Sequence, residues 1–543
     1  MSNGIAGGSF RKGYSTLQKR MSSKSDCTLP ANMLQFQKAN KWRDWSRIHM
    51  NKNKSGRTHR MPSIRKNYTY NLIYQVMTFL TPFITTPYLS RVLGPDGTGI
   101  QSYTNSVVQY FAIAAALGTA SYGQREIAMH RDDREALNRL FWEIELLCAG
   151  TTAVCLVFWL GVIGCSKEYA PYYAALSMTL IAVAFDISWF FGGLEEYGLI
   201  VLRNMAVKCV GIVLLFLFIR TKNDLLLYVA LTAATGLLGN ISMWGYLKPF
   251  VGKPDIRQLK PLRHLKETLV YFIPTIATSV YTILDKTMLG WFTDGDKSQN
   301  GYYEYATGFV NMSKILIMSF NAVMSARMSY LFGAGKLDEV RERLRGSLDF
   351  VLLLAIPITL GLSGIAAGFV PWFLGDAYLP VIPLMYVCAP LVLVVGLSDC
   401  LGSQILTPAG LRAQSGRAIV GGAVVNFILN LIFIPKFQSY GAAAASVAAE
   451  CFITLLYLRL GRGFVKLSLV WKYSWRRLIA GVCMFISVAV LGRTLVKLWG
   501  YSPAVTFLQI GAGAVVYGMI LLVLRDPFIW KQVERIIKKQ EYV

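Results

Sequence analysis

Fourteen stretches of this chain are apolar over close to the ~20 residues that cross a bilayer, and that repetition constrains the fold more than any motif does. They fall at about 67–90, 101–123, 140–163, 169–191, 198–219, 225–247, 268–292, 302–330, 347–374, 379–405, 417–435, 438–460, 477–498 and 503–524. A chain with 54% hydrophobic and 16% charged residues and a mean hydropathy of +0.43 cannot bury that much apolar surface as a soluble protein. The sequence therefore predicts an all-α polytopic membrane protein. An even number of spans puts both termini on one side.

The formal charge of +25 does not point to nucleic acid, because the basic residues lie between the apolar blocks, where membrane proteins collect them on the cytoplasmic side. Three short loops carry them: 124–139 with Arg125, Arg131, Arg134 and Arg139; 248–266 with Lys248, Lys253, Arg257, Lys260, Arg263 and Lys266; and 331–346 with Lys336, Arg341, Arg343 and Arg345. These loops are expected inside, with both termini. The opposite loops, such as "GPDGTG" and "TDGDKSQNG", are short and poor in cations.

Residues 1–66 hold fifteen Lys or Arg against two acids, Asp26 and Asp44, without helical periodicity. That composition predicts a disordered basic cytoplasmic tail. "MPSIRKNYTYN" from Met61 is a compact basic start in its own right, so the first sixty residues read as a tail or as sequence upstream of the true start. The nine cysteines are scattered, with no CxxC pair, and read as packing residues. No phosphate-binding loop, HExxH or GxSxG is present, and the four histidines lie outside the apolar cores. Neither an enzyme nor a cofactor or metal site is expected.

A weak internal repeat sets the domain plan. "RVLG" (Arg91 to Gly94), followed by Gly99 and Tyr103, recurs as "TMLG" (Thr287 to Gly290), followed by Gly301 and Tyr305. "GGLEEYGLIVLRNMAVK" at 192–208 has its counterpart in "ILTPAGLRAQSGRAIV" at 405–420. The six-span period predicts two six-helix lobes related by a pseudo-twofold axis along the membrane normal, plus two extra C-terminal helices. The boundaries are an N-lobe at 67–247, a linker at 248–266, a C-lobe at 267–460, and helices 13 and 14 with a cytoplasmic C-terminus at 461–543.

The stretch "NLIYQVMTFLTPFITTPYLSRVLGPDGTGIQSYTNSVVQYFAIAAALGTASYGQREIA" (71–128) resembles the opening of polysaccharide, or O-antigen, flippases of the multidrug/oligosaccharidyl-lipid/polysaccharide exporter superfamily. "WFFGGLEEYG" (189–198), "LDKTMLGWF" (284–292) and "GYYEYA" (301–306) extend the resemblance. It implies that an undecaprenyl-pyrophosphate-linked oligosaccharide is flipped across the bacterial inner membrane, its sugar passing through a cationic cavity between the lobes. A polysaccharide polymerase is an implied partner. A cation-coupled multidrug exporter and a peptidoglycan-precursor flippase are the rival readings, and a membrane scaffold without transport activity is a third.

Ionisable groups inside the spans are the candidate site, since each costs roughly 2.5–3.5 kcal/mol on insertion scales and usually faces a cavity. Lys208 lies about ten residues into the fifth span, roughly 15 Å deep. Lys314 is as deep in the eighth. Lys286 stands beside Asp285 in the seventh, and Arg203 is shallower, where an arginine also reaches the interface. Arg91 closes the first span, where interfacial anchoring is the alternative to cargo binding. Together Lys208, Lys314, Lys286, Arg203 and Arg91 are the expected cavity cations. Asp285, Asp186 and Glu450 are expected either to bind a coupling H⁺ or Na⁺ or to pair structurally with buried cations. Pro82 and Pro87 are expected to bend the first helix where it lines the cavity, with Asn71 and Gln75 offering hydrogen bonds.

The loop charges make a direct prediction. Reporter fusions after Lys253 and Gly335 read cytoplasmic, and fusions near Gly97 and Ser298 read external. The reverse pattern overturns the topology.

Overall fold

In lipid every backbone N–H and C=O must find a partner in the protein, and apolar stretches of about 20 residues meet that demand as helices, whose bonds all lie within the segment. The computed structural model describes residues 64–530 except Asp255, Asp294 and Lys466, and among these no strand occurs. The basic segment up to residue 63 lies outside the described residues. So do the side chains of Asn71 and Pro274.

The helices are α1 (Ile64–Ala116), α2 (Thr119–His130), α3 (Arg134–Cys165), α4 (Ala170–Ala184), α5 (Ser188–Gly193), α6 (Tyr197–Phe218) and α7 (Leu225–Met243) in the first half. The second half has α8 (Leu265–Phe292), α9 (Ser298–Gly333), α10 (Leu337–Phe373), α11 (Val381–Cys388), α12 (Pro390–Leu401), α13 (Arg412–Leu460), α14 (Leu467–Trp499) and α15 (Pro503–Val523). Among the described residues ten helices are long and apolar enough to cross a membrane. α13 is two spans joined at Gln438, where φ is 51° and ψ −127°. α1 likewise has two arms, joined at Gly94 with φ 69° and ψ 178°. With these arms and α8 counted, fourteen spanning segments match the fourteen apolar stretches. The chain is a multi-pass membrane protein.

The backbone stays helical through Pro82 and Pro87, and the sharp break in α1 falls at Gly94 instead. Each proline lacks an N–H and so frees one carbonyl a turn earlier, but the surrounding turns hold; the Thr81 and Thr85 hydroxyls donate to Met77 O and Thr81 O. Gly94 is different, because an L side chain is strained at that positive φ.

Four clusters of buried apolar side chains organise the packing. One, around Trp159, Leu180 and Val108, fills the first half at the end where α1 turns at Gly94, here the hairpin end. A second, around Phe141, Phe190 and Met243, fills the same half at the opposite end, where residues 248–264 link the halves. A third is made wholly from residues 288–465. The fourth joins α14 and α15, with Leu353 and Leu360 of α10 packed against it.

At the hairpin end the two glycines matched by the repeat meet. A Cβ on Gly99 would lie 1.7 Å from Lys297 O, and one on Gly301 would lie 2.4 Å from Pro95 O. Only glycine permits this backbone-to-backbone seam. Thr98 Oγ1 lies 3.0 Å from Tyr378 OH beside it, and Lys297 pairs with Glu168.

At the linker end Arg477 of α14 is fully buried. Its Nε and Nη2 donate to Asp526 at 3.1 Å each, and Nη2 lies 2.6 Å from Asp349 of α10. Removing the cation strands two carboxylates, at a cost of about 3–5 kcal/mol. Arg477→Leu therefore lowers the thermal midpoint of the solubilised protein and its level in membranes, while Arg477→Lys falls between. A wild-type melting curve for the leucine variant would contradict this.

Candidate functional site: a polar cavity beside α8 and α9

A cavity of about 340 Å³ lies between the second arm of α1 and helices α8, α9, α12 and α13. The α1 wall presents Ser102, Asn105, Ser106 and Gln109, whose i, i+3, i+4, i+7 spacing makes one helical stripe. That stripe is polar and uncharged. All the charge comes from the other wall: Asp285 and Lys286 on α8, Glu304 and Lys314 on α9, and Glu450 on α13. Asn311 adds another amide.

Asp285 is enclosed by the protein. Tyr303 OH donates to its Oδ2 at 2.6 Å, Asn430 Nδ2 donates to its Oδ1 at 2.6 Å, and Ser446 Oγ also donates to Oδ2. Asn430 Nδ2 further donates to Asn426 Oδ1 at 3.1 Å. Asn426 Nδ2 and Asn430 Oδ1 are buried without a hydrogen-bond partner. Four helical segments thus converge on one carboxylate, leaving an oxygen acceptor unused beside it. Lys286 turns away and pairs with Glu304 at 2.6 Å, and Ser102 Oγ donates to the same Glu304 oxygen from across the cavity. Lys314 lies within electrostatic reach of Glu450.

Four of the expected residues, Asp285, Lys286, Lys314 and Glu450, therefore meet in one cavity. The other four ionisable candidates lie elsewhere. Lys208 donates to Thr78 Oγ1 at 2.7 Å, joining α6 to the first arm of α1. Arg203 donates to Asn240 Oδ1 at 2.7 Å, and Asn240 in turn donates to Ala182 O at 2.7 Å. Asp186 sits in the break between α4 and α5, where its Oδ1 accepts from Ser188 N at 3.0 Å. Arg91 reaches the carbonyl end of α10 at the hairpin end. Pro82 and Pro87 do not line the cavity, and Gln75 is exposed.

The charge balance also differs from expectation. The sequence suggested a wall richer in lysine than in acids, whereas this wall holds Asp285, Glu304 and Glu450 against Lys286 and Lys314. Glu304 carried no depth signal in the sequence because it stands at the start of the apolar stretch 302–330, where a carboxylate is ordinarily solvated. Its "GYYEYA" context and its place one turn after the repeat glycine were the available signals. Asp399 of α12 also escaped notice. It accepts from Asn321 Nδ2 at 2.9 Å, and Gln404, in a π-helical turn, donates to Asn321 Oδ1 at 3.0 Å. Among the described residues no group of three His, Cys, Asp or Glu side chains is arranged to hold a metal ion.

Residues 64–330, which include the cavity's α1, α8 and most of its α9 wall, match the model of the family described as polysaccharide biosynthesis protein. Over those residues the chain is similar to that family. A protein named as an O-antigen transporter in Escherichia coli (strain K12) is 23% identical over 73% of this chain and 96% of its own length. A protein named as the flippase AglR in Haloferax volcanii is 25% identical over 83% of this chain and 94% of its own. Among solved structures, the lipid II flippase MurJ in an inward closed conformation superposes with a TM-score of 0.59 at 14% identity, covering 84% of this chain and all of that one. An inward-facing multidrug resistance MATE family transporter of the MOP superfamily does so with a TM-score of 0.60 at 14% identity, covering 74% of this chain and 99% of its own. These structural likenesses establish the all-helical fold. The resemblance read from residues 71–128 is borne out.

The Asp285 cluster carries its own prediction. Asp285→Leu leaves three buried donors without their acceptor, at about 1–3 kcal/mol for each group left unsatisfied. It lowers the melting temperature more than Asp285→Asn, which keeps an acceptor oxygen. Equal melting curves for the two variants would show that the donors find other partners.

Proposed function

We propose that this protein carries a lipid-linked, anionic oligosaccharide across a membrane by alternating access, for polysaccharide biosynthesis. The observation that carries the reading is the division of the cavity into an uncharged amide and hydroxyl stripe on α1 and a charged wall holding Lys286 and Lys314. Amides and hydroxyls suit sugar hydroxyls, whereas ammonium groups suit a phosphate, where charge-assisted hydrogen bonds are strongest. An undecaprenyl-pyrophosphate-linked repeat unit fits both demands, its lipid remaining in the bilayer. The names of the relatives support the same class of cargo.

Glu304 and Glu450 serve in this reading as counter-charges that hold the lysines until cargo replaces them. Asp285, with Asn426, Asn430 and Ser446, is the coupling site for H⁺ or Na⁺. It has the buried carboxylate and the unused amide oxygen that a small cation requires. A cationic drug as cargo is disfavoured by the same wall: Asp285 already accepts from three donors, Glu304 is paired with Lys286, and Glu450 shares the cavity with Lys314.

The basic loops support a bacterial inner-membrane topology with both termini cytoplasmic, the linker end inside and the hairpin end outside. Under that topology the cargo's head group is loaded from the cytoplasm and released outside to a polymerase.

Lys314 gives the test. A hydrogen bond to a charged group contributes about 1.5–3 kcal/mol, so Lys314→Ala lowers export by roughly one to two orders of magnitude at unchanged membrane abundance. Lys314→Arg keeps part of the activity, its planar fork replacing a compact ammonium. The readout is accumulation of cytoplasm-facing lipid-linked oligosaccharide in cells carrying each variant. Wild-type export from Lys314→Ala refutes the cargo assignment.

A further inference from the structure

Arg91 closes the first arm of α1, one turn before the break at Gly94, and its guanidinium leaves its own half of the molecule. A helix ends with carbonyls that no residue of that helix can satisfy. At the end of α10, Leu374 N donates to Val370 O at 2.8 Å and Gly375 N donates to Pro371 O at 3.1 Å. Gly375, with φ 99°, then turns the chain out of the helix. The next two carbonyls, Trp372 O and Phe373 O, are taken by Arg91. Its Nη1 donates to Phe373 O at 3.2 Å and to Pro87 O at 2.7 Å, and its Nη2 donates to Trp372 O. The cation also sits at the negative end of the α10 dipole. The ring of Phe83 rests edge-on against Phe373, with centroids 5.9 Å apart.

This contact crosses between the two repeat halves at the hairpin end, beside the Gly99–Gly301 seam. It does not line the cavity. We infer that Arg91 is the latch of the hairpin-end closure, a positioning residue that acts through the terminal carbonyls of α10 to hold the halves together there. Moving the halves apart takes two carbonyls away from the guanidinium, and water entering the opened gap satisfies all of these groups. The contact is therefore reversible. A lysine at 91 keeps the charge but cannot fork onto both carbonyls. The inference rests on the alternating-access reading but not on the identity of the cargo.

The test uses the full chain in membranes with its native cysteines replaced and one reporter, Asn300→Cys, since Asn300 is 2% exposed behind the seam. Arg91→Ala is expected to raise labelling of this cysteine by an externally added, membrane-impermeant maleimide several-fold, with Arg91→Lys intermediate. Unchanged labelling in Arg91→Ala overturns the latch. Should Arg91→Ala fail to accumulate, Arg91→Lys and Arg91→Gln supply the comparison. A second arm adds Ser106→Cys with Thr287→Cys, because the native Oγ and Oγ1 lie 2.9 Å apart across the halves. Oxidation of that pair is expected to suppress the extra labelling, which returns when a reductant is added. Labelling that persists in the cross-linked protein marks mere local loosening and also overturns the latch. The labelling readout needs no cargo, so its failure is distinct from failure of the transport reading, which the Lys314 variants examine.

Discussion

The absence of hydrogen-bond partners in lipid governs this structure from end to end. It imposes helices, and it makes every interruption of a helix a place where a side chain must supply what the backbone lost. Where α4 gives way to α5, Trp244 Nε1 donates to Phe185 O at 3.1 Å and Asn240 Nδ2 donates to Ala182 O. Where the second arm of α1 ends before Gly118, Thr151 Oγ1 donates to Ala115 O at 2.6 Å. In the π-helical turn after α12, Ser325 Oγ donates to Ser403 O at 2.9 Å. Arg91 does the same for the end of α10.

The same economy applies to charge. A lone ion in a low-dielectric interior is costly, and here the intramembrane ions that meet in the cavity are matched with counter-charges or donors. Asp285 is held by neutral donors, Lys286 by Glu304, and Lys314 shares the cavity with Glu450. Neutral donors and ion pairs differ in what they permit. A carboxylate ringed by hydroxyls and amides can exchange a proton or a small cation without moving a helix, whereas an ion pair can trade one partner for an anionic cargo. The cavity holds one of each kind within a turn of helix.

The halves meet at the hairpin end through a glycine seam, a few hydroxyls, the Lys297–Glu168 ion pair, the Arg91 guanidinium and the Phe83–Phe373 ring contact. The buried apolar clusters keep to one half or the other. The polar groups released when these surfaces separate can be hydrated. Rocking of one half against the other is therefore compatible with well-packed cores on both sides.

The number, length and order of the spans were legible in the sequence, because the hydropathy of some twenty consecutive residues is local and the bilayer reads it locally. The repeat was legible too, and it identified Gly99 and Gly301 as equivalent before either could be seen to touch the other half. Depth along a helix was legible, so Lys314, Lys286, Asp285 and Glu450 stood out. Direction around the helix was not. Lys208 is as conspicuous in the sequence as Lys314, yet it bonds to Thr78, and Arg203 bonds to Asn240, both away from the cavity. Arg91 looked like a cavity cation or an interfacial anchor and is instead bound to the end of α10. Asp285 finds Ser446 across 161 positions of chain. Which charges converge depends on the rotation and register of helices packed far apart in sequence, and those are set by side-chain interdigitation over the whole bundle, which no single segment encodes.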